Sequence, residues 1–219
     1  MRPPLLFSLL GLALMALVVY GGLNRPPDEP APSVPLSAAD LQTSTLSPGR
    51  EPMVLPVNYR ENLVLYAQVD RSDDITRKLY ISPAALDAVR AGEDLPDYTQ
   101  IVIEAYDAAR DLLGNVLRDE NGYLIPGDFQ PEVHMAEKRS TWFIEDLASS
   151  SHVGDWNFTA LNFDTGAPTG ESRADCFSCH DGADRSGFTF TTPQIERYAQ
   201  TGEVQYRTCN LPGRFPCTF

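Results

Sequence analysis

Lysine is nearly missing from this chain: Lys78 and Lys138 are the only two among 219 residues, so any chemistry that needs an amine must use one of them. Basic residues number 17 against 30 acidic ones, a formal net charge of -13. Gripping phosphates takes a basic patch that displaces counterions, so nucleic acid is excluded as a partner. The acidity itself is read as solubility outside the cytoplasm. No segment of 20–50 residues recurs, which excludes a solenoid. Histidine is scarce at three residues and cysteine at four, so each of them carries weight. What is present is a 42% hydrophobic, 10% aromatic chain of a length that suits one packed core with appendages.

The N-terminus places one arginine before a run from Leu5 to Leu23 that holds no charge. This reads as an export signal. Its nineteen residues reach the length of a membrane-spanning helix and no clean small-residue cleavage site ends it, so residues 1–23 are a signal peptide or, slightly favoured, a retained anchor. Residues 24–56 hold eight of the 18 prolines and no sustained apolar period, the composition of a tether. The remainder is expected in the periplasm, soluble or tethered to the inner membrane.

From Leu63 the pattern alternates, with Leu63, Leu65, Ala67 and Val69 on one face and Tyr66, Gln68 and Asp70 on the other, which predicts a strand. Asp73-Asp74 turns the chain into a second strand near Leu79–Ile81, and Ser82-Pro83 opens a short helix that Gly92 closes. Gln100–Asp107, Val133–Arg139 and Trp156–Phe163 are further strands, with turns at Asn121-Gly122 and Pro126-Gly127. Strands outnumber helices. The predicted fold is α+β, mostly β: an antiparallel sheet with a few short helices over 57–200, ending in the helix that carries CFSCH.

In that run, Cys176, Cys179 and His180 fall three and four residues apart and share one side of a helical turn. The spacing is that of c-type haem attachment, in which two thiols add across the vinyl groups and the adjacent imidazole is held against the iron. One covalent haem c, with His180 as metal ligand, is the favoured reading. A tetrahedral zinc site from Cys176, Cys179, Cys209 and Cys217 and a redox-active thiol pair are its weaker rivals. If the first pair holds haem, Cys209 and Cys217 are left in an oxidising compartment, and a disulfide pinning the 201–219 tail is the plain inference.

Several phrases in sequence order resemble the cytochrome P460 family, which includes the beta-type cytochromes c′: Asn58-Tyr59-Arg60, Leu79-Tyr80-Ile81-Ser82-Pro83, Val102-Ile103-Glu104-Ala105-Tyr106, Glu137-Lys138-Arg139, Gly154-Asp155-Trp156, and CFSCH followed by Phe188-Thr189-Phe190. The resemblance implies a small β-rich monohaem domain, often a homodimer, with an open pocket on the distal side of the iron. It implies one of two activities: oxidation of hydroxylamine, in some members with nitric oxide, or binding of nitric oxide and related gases. The oxidising members carry a lysine bonded to the haem ring from the strand position preceding a glutamate. Here that position is Ile103, before Glu104, so the cross-link is expected to be absent unless Lys138 supplies it from another strand.

The sixth coordination position then decides function, because an occupied one suits electron transfer to a partner protein and an open one admits a small ligand. Outside the export segment, His134, His152, Met53 and Met135 are the candidate occupants. On a strand His134 shares its face with Ala136 and Lys138, opposite Met135, so the two cannot act together. His134 is the candidate catalytic or ligand-stabilising residue, able to donate a hydrogen bond or proton to bound nitric oxide or hydroxylamine. The bland alternative is a half-buried surface histidine, and His152 reads as loop. Arg139 is a candidate cofactor-binding residue for a haem propionate, with Lys138 as its alternative. Glu104, like Lys138 and Arg139, reads as readily as a solvated or cross-strand-paired charge as a functional one, and Trp156 and Tyr106 read as core or haem-packing aromatics.

Overall fold

A computed structural model describes residues 53–142, 153–170 and 173–209. The export segment, most of the linker, His152 and Cys217 lie outside the described residues. The element order is α1 (Tyr59–Asn62), β1 (Val64–Arg71), β2 (Ile75–Ile81), α2 (Pro83–Ala91), β3 (Gln100–Ala108), β4 (Pro126–Lys138), β5 (Trp156–Asn162), α3 (Arg173–His180), a 3-10 segment (Asp181–Ser186), α4 (Thr192–Thr201) and β6 (Gln205–Cys209). One six-stranded sheet runs β5-β4-β3-β2-β1-β6. The fold is mostly β with short helices, as the alternation predicts. It departs from a purely antiparallel sheet because β6 pairs parallel to β1, Ala67 opposite Gln205 and Arg71 opposite Cys209. The three residues before Cys209 in this strand are exposed, so an edge strand with little apolar alternation left no period to read.

A bulge corrects the expected facing of β1. Leu65 pairs with Tyr80 and Ala67 with Leu79, leaving Tyr66 as the extra residue. One inserted residue reverses the pleat, so Leu65 packs with Tyr80, Val102, Val133, Met135 and Leu161, whereas Ala67 and Val69 join Leu79, Ile81, Ile101, Ala136 and Phe158 on the opposite face. The latter face takes the helices. It buries Ala85 and Leu86 of α2, Phe177 of α3 and Ile195 and Ala199 of α4. Helix α2 follows its sequence signals, with Pro83 in the first turn and Gly92 in the left-handed conformation (φ 74°) at its end.

The side chains expected on a polar face of β1 are also buried. Asp70 is 1% exposed and accepts from the Thr76 hydroxyl at 2.7 Å and the Leu124 amide at 2.6 Å. The Gln68 amide donates to the Leu124 carbonyl at 3.0 Å. What covers them is the excursion between β3 and β4, which is built as two successive copies of one eight-residue unit, RDLLGNVL (110–117) and RDENGYLI (118–125). Arg110 bridges to Val116 and Arg118 to Leu124. In each copy the arginine donates to the glycine carbonyl four residues on, at 3.0 and 2.9 Å. In each the aspartate accepts two backbone amides, Asp111 from Leu113 and Asn115, Asp119 from Asn121 and Tyr123. Gly114 and Gly122 both have φ 86°, open to glycine and strained for other residues.

Candidate functional site

Helix α3 presents Cys176, Cys179 and His180 half-buried on one side while Phe177 turns inward at 1% exposure and Ser178 outward. Phe177 meets Phe158 of β5 edge-on at 5.8 Å between ring centroids. This contact seats the motif on the sheet. The His180 imidazole stacks on Phe158 at 3.9 Å and lies 5.1 Å from Phe190. Burial holds its pKa below the ordinary histidine value, a shift that the Phe188 hydrogen bond opposes and the charge of His134 reinforces. A neutral imidazole keeps a lone pair for a metal.

The chain after α3 orients that imidazole. Gly187 and Phe188 both adopt φ 65°, a consecutive left-handed pair that reverses the chain. The reversal brings the Phe188 carbonyl to 2.8 Å from His180 Nδ1. With Nδ1 donating there, Nε2 is the atom left to ligate, because a carbonyl that holds the proton on one ring nitrogen leaves the lone pair on the other. The arrangement depends on a glycine: a Cβ on Gly154, itself at φ 60°, would stand 2.5 Å from Phe188 Cε2. Gly154→Ala is therefore expected to push the Phe188 ring away and loosen the hydrogen bond to His180. The check is the exchange rate of the His180 Nδ1 proton by NMR, expected faster than in the parent chain. An unchanged rate would refute the link.

The remaining predicted residues divide between the two faces of the sheet. His134 pairs with Ile103 on one side and Ala160 on the other, placing it by the pleat on the face that carries Phe158 and His180. It is half-exposed, and its Nε2 lies 3.4 Å from Glu132 Oε1. Met135 and Met53 are buried on the opposite face, 2% and 6% exposed, in the cluster around Tyr80. Neither is placed to be a sixth ligand. Arg139 also turns elsewhere: its Nε donates to Glu137 Oε1 at 2.5 Å, and its guanidinium lies 4.1 Å from the Trp142 ring. The pair is buried, both residues below 8% exposed, so Glu137 gives Arg139 an internal partner. The same face as His134 carries Arg77, opposite Ala105 on β3, a position that sequence reasoning passed over.

Both lysines are engaged. The Lys138 ammonium donates to the Leu95 carbonyl at 2.5 Å, and that of Lys78 sits 4.9 Å over the Tyr106 ring. Ile103, at the position that precedes Glu104, packs half-buried against the helix-side core.

Glu104 is neither solvated nor part of a simple cross-strand pair. It is fully buried and accepts the phenol hydrogens of Tyr59 (2.5 Å), Tyr106 (2.7 Å) and Tyr80 (3.0 Å), with the Arg60 guanidinium against the same carboxylate. Burial pushes its pKa up, but the hydrogen bonds from Tyr59, Tyr106 and Arg60 outweigh burial and leave it below the ordinary carboxylate value. Burial and the same anion push the Tyr106 phenol up to about 12.

Among the described residues no group of three or more His, Cys, Asp or Glu side chains is arranged to hold a metal ion, so Cys209 does not join Cys176 and Cys179 in a zinc shell there. The donor set fits haem instead, with one oriented imidazole and two thiols on the same side of a helix. No curated protein matches the chain. The family model for cytochrome P460 matches residues 56–191, well over half the chain. The chain belongs to the cytochrome P460 family and, with it, to the haem c cytochromes.

Proposed function

We propose that this is an exported cytochrome in which Cys176 and Cys179 would attach one haem c, His180 would be its protein ligand, and the haem iron would bind nitric oxide or a related small nitrogen ligand. The observation that carries this reading is the fixed imidazole: the Phe188 carbonyl engages Nδ1, and burial keeps the ring neutral. When bound, the haem supplies a Lewis-acidic, redox-active iron for such a ligand. The chain's residues decide the rest. Met53 and Met135 are held in the far core, away from the face that carries His180. The engagement of both lysines favours ligand binding over hydroxylamine oxidation, the activity that the cross-link accompanies. His134, on the haem-side face, holds or delivers a proton to the bound ligand. A Cys209–Cys217 disulfide, periplasmic location and assembly as a homodimer belong to the same reading.

Optical and EPR spectra of the chain matured with a c-type haem system test it. A high-spin ferric iron that takes up nitric oxide is expected; a low-spin iron indifferent to nitric oxide would refute the proposal, and oxidant-dependent hydroxylamine consumption would favour an oxidoreductase. His134→Ala is expected to leave haem attachment intact and raise the nitric oxide dissociation rate about tenfold, the effect of losing roughly 1.4 kcal/mol of hydrogen bonding. Stopped-flow release reads it, and an unchanged rate would make His134 a bystander.

A further inference from the structure

The two most exposed large hydrophobic side chains among the described residues are neighbours, Leu112 at 106% and Leu113 at 87%. They form the tip of the first turn in the tandem 110–125 unit. The second turn has the same aspartate, the same left-handed glycine and the same backbone hydrogen bonds, yet carries Glu120 and Asn121 at these two positions. The turn itself therefore does not need leucine. It also holds the pair stiffly, because Asp111 accepts the Leu113 and Asn115 amides at 2.8 and 2.9 Å. The adjoining charges are spent locally, Asp111 on Asn115 and Arg110 on Asp74 at 2.9 Å.

We infer that Leu112 and Leu113 are a docking tip that inserts between the lipids of a bilayer. Two side chains on a convex turn cannot approach the area of about 800 Å² per partner that a stable protein interface buries. An acyl layer imposes no such demand, since it accepts any apolar shape. The inference rests on the reading of residues 5–23 as a retained anchor. The 29 residues from 24 to 52, at about 3.1 Å each when extended, then keep the domain within roughly 90 Å of the membrane. Tethering converts a weak insertion into an intramolecular event at high effective concentration. A chain of net charge -13 is repelled by anionic headgroups, so the attraction is apolar, strongest on zwitterionic lipid and insensitive to salt there.

The test compares Leu112→Trp with Glu120→Trp, the equivalent position of the second turn, in the full chain reconstituted into phosphatidylcholine vesicles with brominated acyl chains. Emission of Trp142 and Trp156 is subtracted using the unsubstituted chain. Quenching several-fold stronger at position 112 than at 120, unchanged by salt, is expected. Equal quenching at both positions in chains that float with the vesicles overturns the docking tip and leaves the anchor standing. Chains that fail to float overturn the anchor and the tip together. If Leu112→Asp/Leu113→Asp lowers the sedimenting mass in the absence of lipid, the leucines hold a second copy, and the lipid assignment falls.

Discussion

Replacing both Cys176 and Cys179 with alanine is expected to yield a chain that carries no haem through denaturing electrophoresis, whereas either single replacement retains a thioether and a weakened haem stain. The thiols share a side of α3 with His180 and take no part in the Phe177–Phe158 contact that seats the helix. The double variant should therefore keep a cooperative unfolding transition, which separates loss of attachment from loss of fold. Haem that stays with the denatured double variant would show that attachment runs through other residues. Zinc bound stoichiometrically to the parent chain through these thiols would restore the metal-site alternative.

The second large effect is expected at Glu104. Removing its carboxylate leaves the phenols of Tyr59, Tyr80 and Tyr106 without their shared acceptor and Arg60 without its anion. Glu104→Ala should cost about 3–5 kcal/mol, since breaking a buried hydrogen-bonded charge site leaves its partners uncompensated. Denaturant titration measures it, and a loss below about 1 kcal/mol would mean that the tyrosines find other partners. The sign of the pH dependence follows from the depressed pKa. Such a carboxylate contributes stability that is fully present above the unfolded-state value of about 4.3 and is lost as pH falls through the folded-state value. The stability gap between the parent and Glu104→Gln should therefore be flat near neutrality and narrow below about pH 4. Tyr59 and Arg60 belong to α1, so the same variant should also loosen the N-terminal segment from the sheet, raising amide exchange over 53–62.

Much of this was legible before any tertiary contact was considered. The alternation at Gln100–Asp107 and Trp156–Phe163, the Pro83 and Gly92 signals of α2, and the i, i+3, i+4 spacing of Cys176, Cys179 and His180 are local properties, and local periodicity survives folding. The Tyr66 bulge was not legible, because one inserted residue depends on which strand lies opposite. The tandem unit at 110–125, RDLLGNVL followed by RDENGYLI, has a period of eight residues, far below that of a solenoid, and only the two matching turns make it a structural repeat.

Charge partners were the hardest to read. Glu104 and Arg139 sit in motifs that could face solvent, a propionate or the core, and pairing depends on neighbours far away in sequence: Tyr59 lies 45 residues from Glu104. By itself, the sequence determined the cofactor class, since two thiols and an imidazole within five residues need only one helical turn to converge. Only the tertiary structure decided which atom of His180 is left to bind and which candidates share its face. Those depend on Gly154 admitting the Phe188 ring and on a sheet whose pleat sends His134 one way and Met135 the other.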